Sequence, residues 1–276
     1  MNKKIGLILA LVLVAFLVMG TASAGLFDFL GGDNADTAAA NDENTFIVGF
    51  DAEFPPYGYK DDSGNYVGFD LDLAKEVCER NNWTFKAQPI DWDAKDAELD
   101  SGSIDCIWNG FTINGRENDY TWSDAYIDNK QVIVVKSDSG IKSLADLAGK
   151  NVETQKDSSA LAALQGDNKT LADTFATLTE VADYNTAFMD LESGACDAVA
   201  IDIGVAQYQV SSKDNSDDFT ILDEIISSEQ YGIGFKKGND ALKDQVQATL
   251  DEMFEDGTVL KIAQEYGISE DALISK

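Results

Sequence analysis

Residues 186–202 read TAFMDLESGACDAVAID, and this stretch decides the fold class. Thr186 to Glu192 has the pattern of an amphipathic helix. The apolar run from Asp197 to Asp202 that follows is typical of a buried strand. A helix that leads into a buried strand is the repeating unit of α/β proteins. We therefore predict an α/β fold built from such units.

The same alternation continues on both sides of this stretch. Further strands are predicted at 46–50, 104–108, 132–135, 151–154 and 219–222, with a return strand at 231–237. Helices are predicted at 143–148, at 158–165 and from 239 to about 266, with a break at Gly257. Another helix is expected to start at Asp70, which would be its N-terminal cap. This order predicts parallel sheets covered by helices on both faces. Ligands of such folds bind at the carboxyl ends of the strands.

The N-terminal segment has the features of an export signal. Lys3 and Lys4 precede an apolar run over 5–19, and small residues occupy 21–24. The run is shorter than the roughly 18–20 residues of a membrane-spanning helix. We predict a signal peptide over 1–24, with an uncleaved anchor as the alternative. The polar segment 25–44 has no periodicity and is expected to be a flexible linker.

Composition excludes several classes of function. The formal net charge of −30 opposes binding to nucleic acid phosphates. The chain contains no histidine, which removes Ser-His-Asp catalysis and His-ligated metals. Its three cysteines are widely spaced, so a thiolate metal site is not expected, and Cys106 and Cys196 are expected in the core. No cofactor and no metal are expected.

Three polar features could together bind a zwitterion. Arg116 ends the loop 109–116, NGFTINGR, which follows a buried strand, and its guanidinium could hold a carboxylate in a bidentate manner. Ser158 and Ser159 lie where a strand gives way to a helix, a position suited to an anion. Asp202 ends its strand and could receive an ammonium group. Alternatives stay open, because Arg116 could be a surface residue, Ser158 an ordinary helix cap and Asp202 a cap of the next helix.

Two aromatic residues and two carboxylates could bind a ligand side chain. Phe54 follows the first strand, and Trp92 lies in a polar loop; aromatic faces in loops can enclose an aliphatic or cationic stem. Asp51 and Glu53 lie together at the carboxyl end of the first strand. Local packing is the alternative role for the aromatic residues, and either carboxylate could point to solvent.

The chain resembles the amino-acid-binding proteins of ABC importers, extracellular solute-binding protein family 3, over about 45–274. The resemblance depends on the order and spacing of several segments. They are GFDAEFPPYGY at 49–59, GNYVGFDLDLAKEV at 64–77, the W-x(6)-L-x-x-G-x-x-D run at 92–105, NGFTINGR at 109–116, WSDAY at 122–126, QKDSSA at 155–160 and LESGACDAVAID at 191–202.

The resemblance implies a role for each candidate residue. Arg116 would hold the ligand α-carboxylate with Ser159 and Ser158, and Asp202 would take the α-ammonium. Asn109, Gly110 and Thr112 would supply backbone and hydroxyl bonds. Phe54 and Trp92 would pack on the ligand side chain, and Asp51 would meet a basic one.

Two departures from the family pattern affect these roles. The loop between Thr112 and Arg116 is one residue shorter than usual, and Gly115 could close the gap. Asp157 replaces the usual glycine and adds a negative charge near the carboxylate site.

The resemblance also implies an architecture and a function. The fold would be the two-lobed type II periplasmic-binding-protein fold, with lobe 1 over 45–132 and 232–276, lobe 2 over 133–231, and a hinge of two crossing segments. The protein would be a monomer outside the cytoplasmic membrane that closes on a free polar amino acid, with a basic one slightly favoured, and delivers it to an ABC permease. The alternatives are a cyclohexadienyl or arogenate dehydratase on the same fold, with Glu53 as the acid, and a sensor ectodomain.

Overall fold

The computed structural model describes residues 44–274. The predicted signal peptide at 1–24 and almost all of the predicted linker at 25–44 lie outside the described residues. Within the described part, no helix is long and apolar enough to cross a membrane.

The strands and helices follow the predicted alternation. The strands are β1 (Thr45–Phe50), β2 (Glu53–Phe54), β3 (Gly58–Lys60), β4 (Tyr66–Val67), β5 (Thr84–Pro89), β6 (Cys106–Ile107), β7 (Thr121–Trp122), β8 (Ile127–Lys136), β9 (Asn151–Gln155), β10 (Thr177–Val181), β11 (Ala198–Asp202), β12 (Phe219–Ile221), β13 (Ser227–Tyr231) and β14 (Gly234–Phe235). The α-helices are α1 (Phe69–Asn81), α2 (Lys95–Ser101), α3 (Ser159–Gln165), α4 (Lys169–Ala172), α5 (Tyr184–Ser193), α6 (Ile203–Ser211), α7 (Asp240–Glu255) and α8 (Thr258–Glu265).

Two main sheets organise these elements. The first has the order β5-β1-β6-β14-β7, and the second has the order β10-β9-β11-β8-β12, with β13 also paired to β8. A small sheet, β2-β3-β4, lies beside them. The expectation of purely parallel sheets is wrong. β14 runs antiparallel to β6 and β7, and β8 runs antiparallel to β11, β12 and β13. Both β8 and β14 enter their sheet directly after a crossing from the other sheet, and each runs opposite to its neighbouring strands.

β8 shows why the second sheet is stable. Its side chains alternate between two apolar clusters, with Val132 and Val134 on one face and Ile133 and Val135 on the other. All four are at most 1% exposed, so helices cover both faces of this strand. Burying each such side chain contributes roughly 1.5–3 kcal/mol.

The chain crosses between the two sheets twice, and the crossings lie side by side. The first crossing follows β7, and the second follows β13. The Ser123 N–H donates to the Ile233 carbonyl (3.0 Å), and the Tyr126 N–H donates to the Tyr231 carbonyl (3.0 Å). The predicted lobe boundary between 132 and 133 falls inside β8, whose pairing from Ile127 onward is with strands of the second sheet. The division into lobes stays a prediction, and these crossings suggest a boundary before Ile127.

The last helices return to the first sheet through α1. Asn81 Nδ2 donates to the Thr249 hydroxyl (2.7 Å), which joins α1 to α7. Arg80 forms an ion pair with Asp256 at the end of α7 (2.8 Å). The prediction that Asp70 caps α1 is wrong: Gly68 is the cap, and Asp70 lies buried in the first turn. Its carboxylate accepts from the Gly110 N–H (2.6 Å) and the Tyr126 hydroxyl (2.8 Å), because the site loop and the first crossing both pack against this turn.

Candidate functional site

The loop at 109–116 leaves β6 at its carboxyl end and is fixed by its own polar groups. Asn109 is buried, and its Oδ1 accepts from the Asp51 N–H (2.9 Å), which joins the ends of β6 and β1. Gly110 has φ +56, and a Cβ here would lie 2.8 Å from a ring carbon of Phe54. Only glycine fits this position without displacing that ring. The Thr112 hydroxyl donates to Glu229 (2.9 Å).

Arg116 extends from this loop to the segment that follows β9. Its Nη1 donates to the Ser159 hydroxyl (3.2 Å), and its Nη2 donates to the Asp157 carbonyl (3.2 Å). The guanidinium also lies 5.3 Å from the centre of the Phe111 ring. Gly115, with φ +82, forms a tight turn in which the Arg116 N–H donates to the Ile113 carbonyl. The shorter loop thus still brings Arg116 to Ser159.

The start of α3 combines a cap with a charged turn. Ser158 is the cap, and its hydroxyl accepts from the Leu161 N–H (3.1 Å). Asp157 has φ +55, the left-handed region that favours glycine. Its carboxylate forms an ion pair with Lys95, whose side chain is only 2% exposed. The charge that Asp157 adds is therefore paired with a cation on α2.

Asp202 lies at the end of β11 in a dense set of donors. Its Oδ1 accepts from Asn129 Nδ2 (2.7 Å), Gln131 Nε2 (2.8 Å) and the Tyr231 hydroxyl (2.5 Å). Asp202 also occupies the N-cap position of α6, as the alternative expected, but its side chain makes no capping bond to that helix. Burial, together with the nearby Glu229 carboxylate, raises the pKa of Asp202 to about 8.

The candidate residues line two neighbouring cavities. The smaller, of about 20 Å³, is lined by Phe54, Trp92, Asn109, Gly110, Gln155, Ser158, Ser159 and Asp202. The larger, of about 430 Å³, is lined by Asp51, Ala52, Glu53, Pro89, Ile90, Asp91, Trp92, Glu98, Lys156, Ala182 and Asp183. Trp92 borders both, and Gln155 of the smaller cavity donates to Asp51 of the larger (2.6 Å).

The comparisons with known proteins agree with this geometry. Residues 46–269 match the family model of the bacterial extracellular solute-binding proteins, family 3. This chain belongs to that family. The L-cystine-binding protein TcyJ of Escherichia coli is 29% identical over 232 residues, which cover 82% of this chain and 83% of TcyJ.

Two solved structures share the fold of this family 3 protein. One is an ABC uptake transporter substrate binding protein from Streptococcus pneumoniae with bound histidine, with a TM-score of 0.78 and 32% identity over 81% of this chain and 92% of that one. The other is an ancestral arginine-binding protein bound to arginine, with a TM-score of 0.74 and 38% identity over 81% of this chain and 98% of that one. The predicted fold class, the two-lobed type II periplasmic-binding-protein fold, is confirmed.

In this family 3 protein, the structure brings most of the predicted residues around one cavity. Thr112 and Arg116 do not line it, although Arg116 contacts it through Ser159. Asp51 and Glu53 lie on the larger cavity instead. Burial raises the pKa of Asp51 to about 6. Glu53 is exposed and accepts a hydrogen bond from Asn185.

Some residues at the site were not singled out from the sequence. They are Lys95, Asn129, Gln131, Gln155, Glu229 and Tyr231. The sequence signal for Glu229 was its period-2 spacing from the aromatic Tyr231, with which it shares the buried face of β13. Residues 44–274 contain no group of three or more Cys, His, Asp or Glu side chains placed to hold a metal ion.

Proposed function

We propose that this solute-binding protein captures a free amino acid between two lobes and delivers it to the permease of an ABC importer. The arrangement around the smaller cavity carries the proposal. Ser159 and the buried Asp202 carboxylate line this cavity. The Arg116 guanidinium adjoins it through its hydrogen bond to the Ser159 hydroxyl. A cation and an anion at one cavity suit the carboxylate and the ammonium of a zwitterion.

The two half-sites come from different sheets, which supports a clamp. Asn109, Gly110 and Arg116 follow β6 of the first sheet, whereas Ser159 and Asp202 belong to the segments around β9 and β11 of the second. The crossings near Ser123 and Ile233 can act as the hinge, and a ligand that bridges both half-sites would favour closure.

A basic ligand side chain suits the larger cavity. Its walls carry five carboxylates, from Asp51, Glu53, Asp91, Glu98 and Asp183, and one ammonium, from Lys156. An acidic side chain would be repelled by this set, whereas a cationic one could lie along Trp92. The name of TcyJ and the two bound ligands indicate that similar proteins bind cystine, histidine or arginine. We therefore infer a polar amino acid, with a basic one favoured.

The chain is proposed to bind rather than to catalyse. A dehydratase on this fold would need an acid over the reacting ring. Glu53 does not line the cavity that contains Asp202, and it bonds to Asn185. The structure offers no observation that favours the enzyme over the binding protein. We propose a monomer, located outside the cytoplasmic membrane.

A screen of free amino acids tests the proposal. Thermal shift against the common amino acids and cystine, followed by calorimetry on the hits, should give at least one ligand with a one-to-one stoichiometry. Binding to none of them would end the proposal. Turnover of prephenate or arogenate would favour the dehydratase.

A further inference from the structure

Glu229 and Asp202 form a buried pair of carboxylates on the second sheet. Asp202 is 4% exposed and Glu229 is 6% exposed. Each of them accepts hydrogen bonds from both Asn129 Nδ2 and Gln131 Nε2, at 2.7 and 2.8 Å in both cases. A side-chain amide has two hydrogens, so Asn129 and Gln131 each bridge the two carboxylates.

The pair has no cationic partner in the part of the chain that the structure describes. Among residues 44–274, no lysine or arginine is within ion-pair distance of either carboxylate. Their hydrogen bonds come from neutral groups: the two amides, the Tyr231 hydroxyl and the Thr112 hydroxyl. Two anions at close range in a buried site cannot both stay charged without a cation or a proton.

The pair does not depend on closure of the lobes. Asp202 ends β11, Glu229 lies on β13, and Asn129 and Gln131 lie on β8 between them. All four residues belong to the second sheet. Only the Thr112 hydroxyl comes from the loop of the first sheet, so the pair exists before the two half-sites meet.

We propose that Glu229 is the second carboxylate of the ammonium site, and that the ligand ammonium displaces a proton which Asp202 holds against Glu229. This inference rests on the proposed function. The proton leaves to the buffer, and the ammonium takes its place against Asp202, which lines the smaller cavity, whereas Glu229 does not. Glu229 is thus a positioning residue that controls the charge of Asp202.

The phenols that face the pair do not supply this proton near neutral pH. Three tyrosines from separate segments face the carboxylate pair, and these are Tyr57, Tyr184 and Tyr231. Burial raises the pKa of each of them further above the ordinary tyrosine value, so they stay neutral. Asp70 contacts the Gly110 N–H from α1, and Asp51 lies across the cavity. Both are separate acids, and burial raises the pKa of Asp70 to about 7 and that of Asp51 to about 6.

The sign of the pH dependence follows from the pKa of Asp202. That pKa is raised to about 8, so the empty pair holds a proton at pH 7, and ligand binding releases it. Affinity should therefore rise with pH, by at most about tenfold per pH unit for one proton, and level off above about 8. An ammonium bound to a permanently charged carboxylate would show no such rise.

Calorimetry with an amino acid found in the screen tests the inference. Wild type is titrated at pH 7 in phosphate and in Tris, whose ionisation enthalpies differ. We expect a heat that depends on the buffer and corresponds to release of up to one proton. Glu229→Gln keeps the side-chain size and removes the second carboxylate, so the pKa of Asp202 should fall, although burial still raises it. This variant should release less of a proton than wild type at pH 7, and its affinity should rise less steeply between pH 6 and 8.

Asp51→Asn is the matched control, because it removes a buried cavity carboxylate outside the pair whose pKa is also raised. Proton release near pH 7 to 8 should persist in it. A wild-type heat that is equal in both buffers would overturn the inference, even if Glu229→Gln fails to fold, and so would equal release by Glu229→Gln. Either result leaves amino acid binding intact. Failure of every amino acid to bind would instead overturn the proposed function and this inference together.

Discussion

The Arg116 guanidinium donates to the Ser159 hydroxyl at 3.2 Å, although the two residues are 43 positions apart and follow strands of different sheets. This bond joins the two half-sites directly. Because the guanidinium and the hydroxyl can each form further hydrogen bonds, both could bind a ligand carboxylate here.

Replacement of Arg116 tests the carboxylate site. Arg116→Ala should weaken binding of a cognate amino acid by about 2–5 kcal/mol, or roughly 30- to 5,000-fold, because a charge-assisted contact is lost from a buried site. Calorimetry gives the affinity, and circular dichroism checks the fold. Arg80→Ala is the control, since Arg80 lies on the surface between Glu76 and Asp256. A variant at Arg116 that titrates like wild type would place the carboxylate elsewhere.

The carboxylates of the larger cavity test the choice of side chain. If Asp51 meets a basic group, Asp51→Asn should weaken arginine or lysine binding by about tenfold or more and leave glutamine less affected. Glu53→Gln should have the smaller effect, because Glu53 is exposed and bonded to Asn185. Arginine, lysine, glutamine, glutamate and cystine are compared by calorimetry. Preference for glutamate, or basic-ligand affinity unchanged in both variants, contradicts the charge argument.

Closure of the lobes should be visible in solution. The two side-by-side crossings near Ser123 and Ile233 can hinge without breaking either sheet. Small-angle scattering on ligand-free and saturated protein should show a smaller radius of gyration with ligand. Tight binding without compaction, with the free protein already as compact as the complex, would rule out the clamp.

An ion pair between the sheets should favour the closed arrangement. Lys95 on α2 pairs with Asp157 after β9, and Lys95 is almost fully buried. Asp157→Asn leaves that ammonium without its partner and should lower ligand affinity by about 1 kcal/mol, roughly fivefold. Asp93→Asn breaks the more exposed pair with Lys156 and should change affinity less than about twofold. Equal effects of both changes would show that burial of Lys95 has no part in closure.

The buried Asp70 should make stability depend on pH. Burial raises its pKa to about 7, so the folded state binds the proton more tightly than the unfolded chain. Its contribution to stability is complete below about pH 4 and is lost as pH rises through about 7, at up to about 1.4 kcal/mol per pH unit. The free energy of unfolding, measured with urea, should therefore fall more steeply between pH 4 and 7 for wild type than for Asp70→Asn, so the variant gains relative stability as the pH rises.

Asp256→Asn is the control for that measurement. Hydrogen bonds from Thr258 and Arg80 lower the pKa of Asp256 to about 2, so this group is fully ionised in both states above about pH 5. The difference in unfolding free energy between Asp256→Asn and wild type should be constant between pH 5 and 7. A constant difference for Asp70→Asn over the same range would show that Asp70 is ionised in the folded protein.

Local pattern was enough to predict β1, β8, β9, β11, β12 and most of the longer helices, but β5, β10, α2 and α6 were not predicted. The run 197–202 predicted β11 because the four apolar residues 198–201 fit a strand buried on both faces. The loop from Thr112 to Arg116 and the pair Ser158–Ser159 were predicted to bind the ligand carboxylate, because each follows the carboxyl end of a strand.

Tertiary structure alone decided which groups meet and with what charge. The sequence places Asp202, Glu229 and Gln131 far apart, and only the pairing of β8 with both β11 and β13 brings two carboxylates onto shared amides. Asp70 looked like a helix cap, but packing against Gly110 and Tyr126 buried it. Local sequence fixes the backbone preferences of a segment, whereas burial and the distance between charges depend on contacts between remote segments. For that reason, the protonation of the ammonium site could be inferred only from the folded chain.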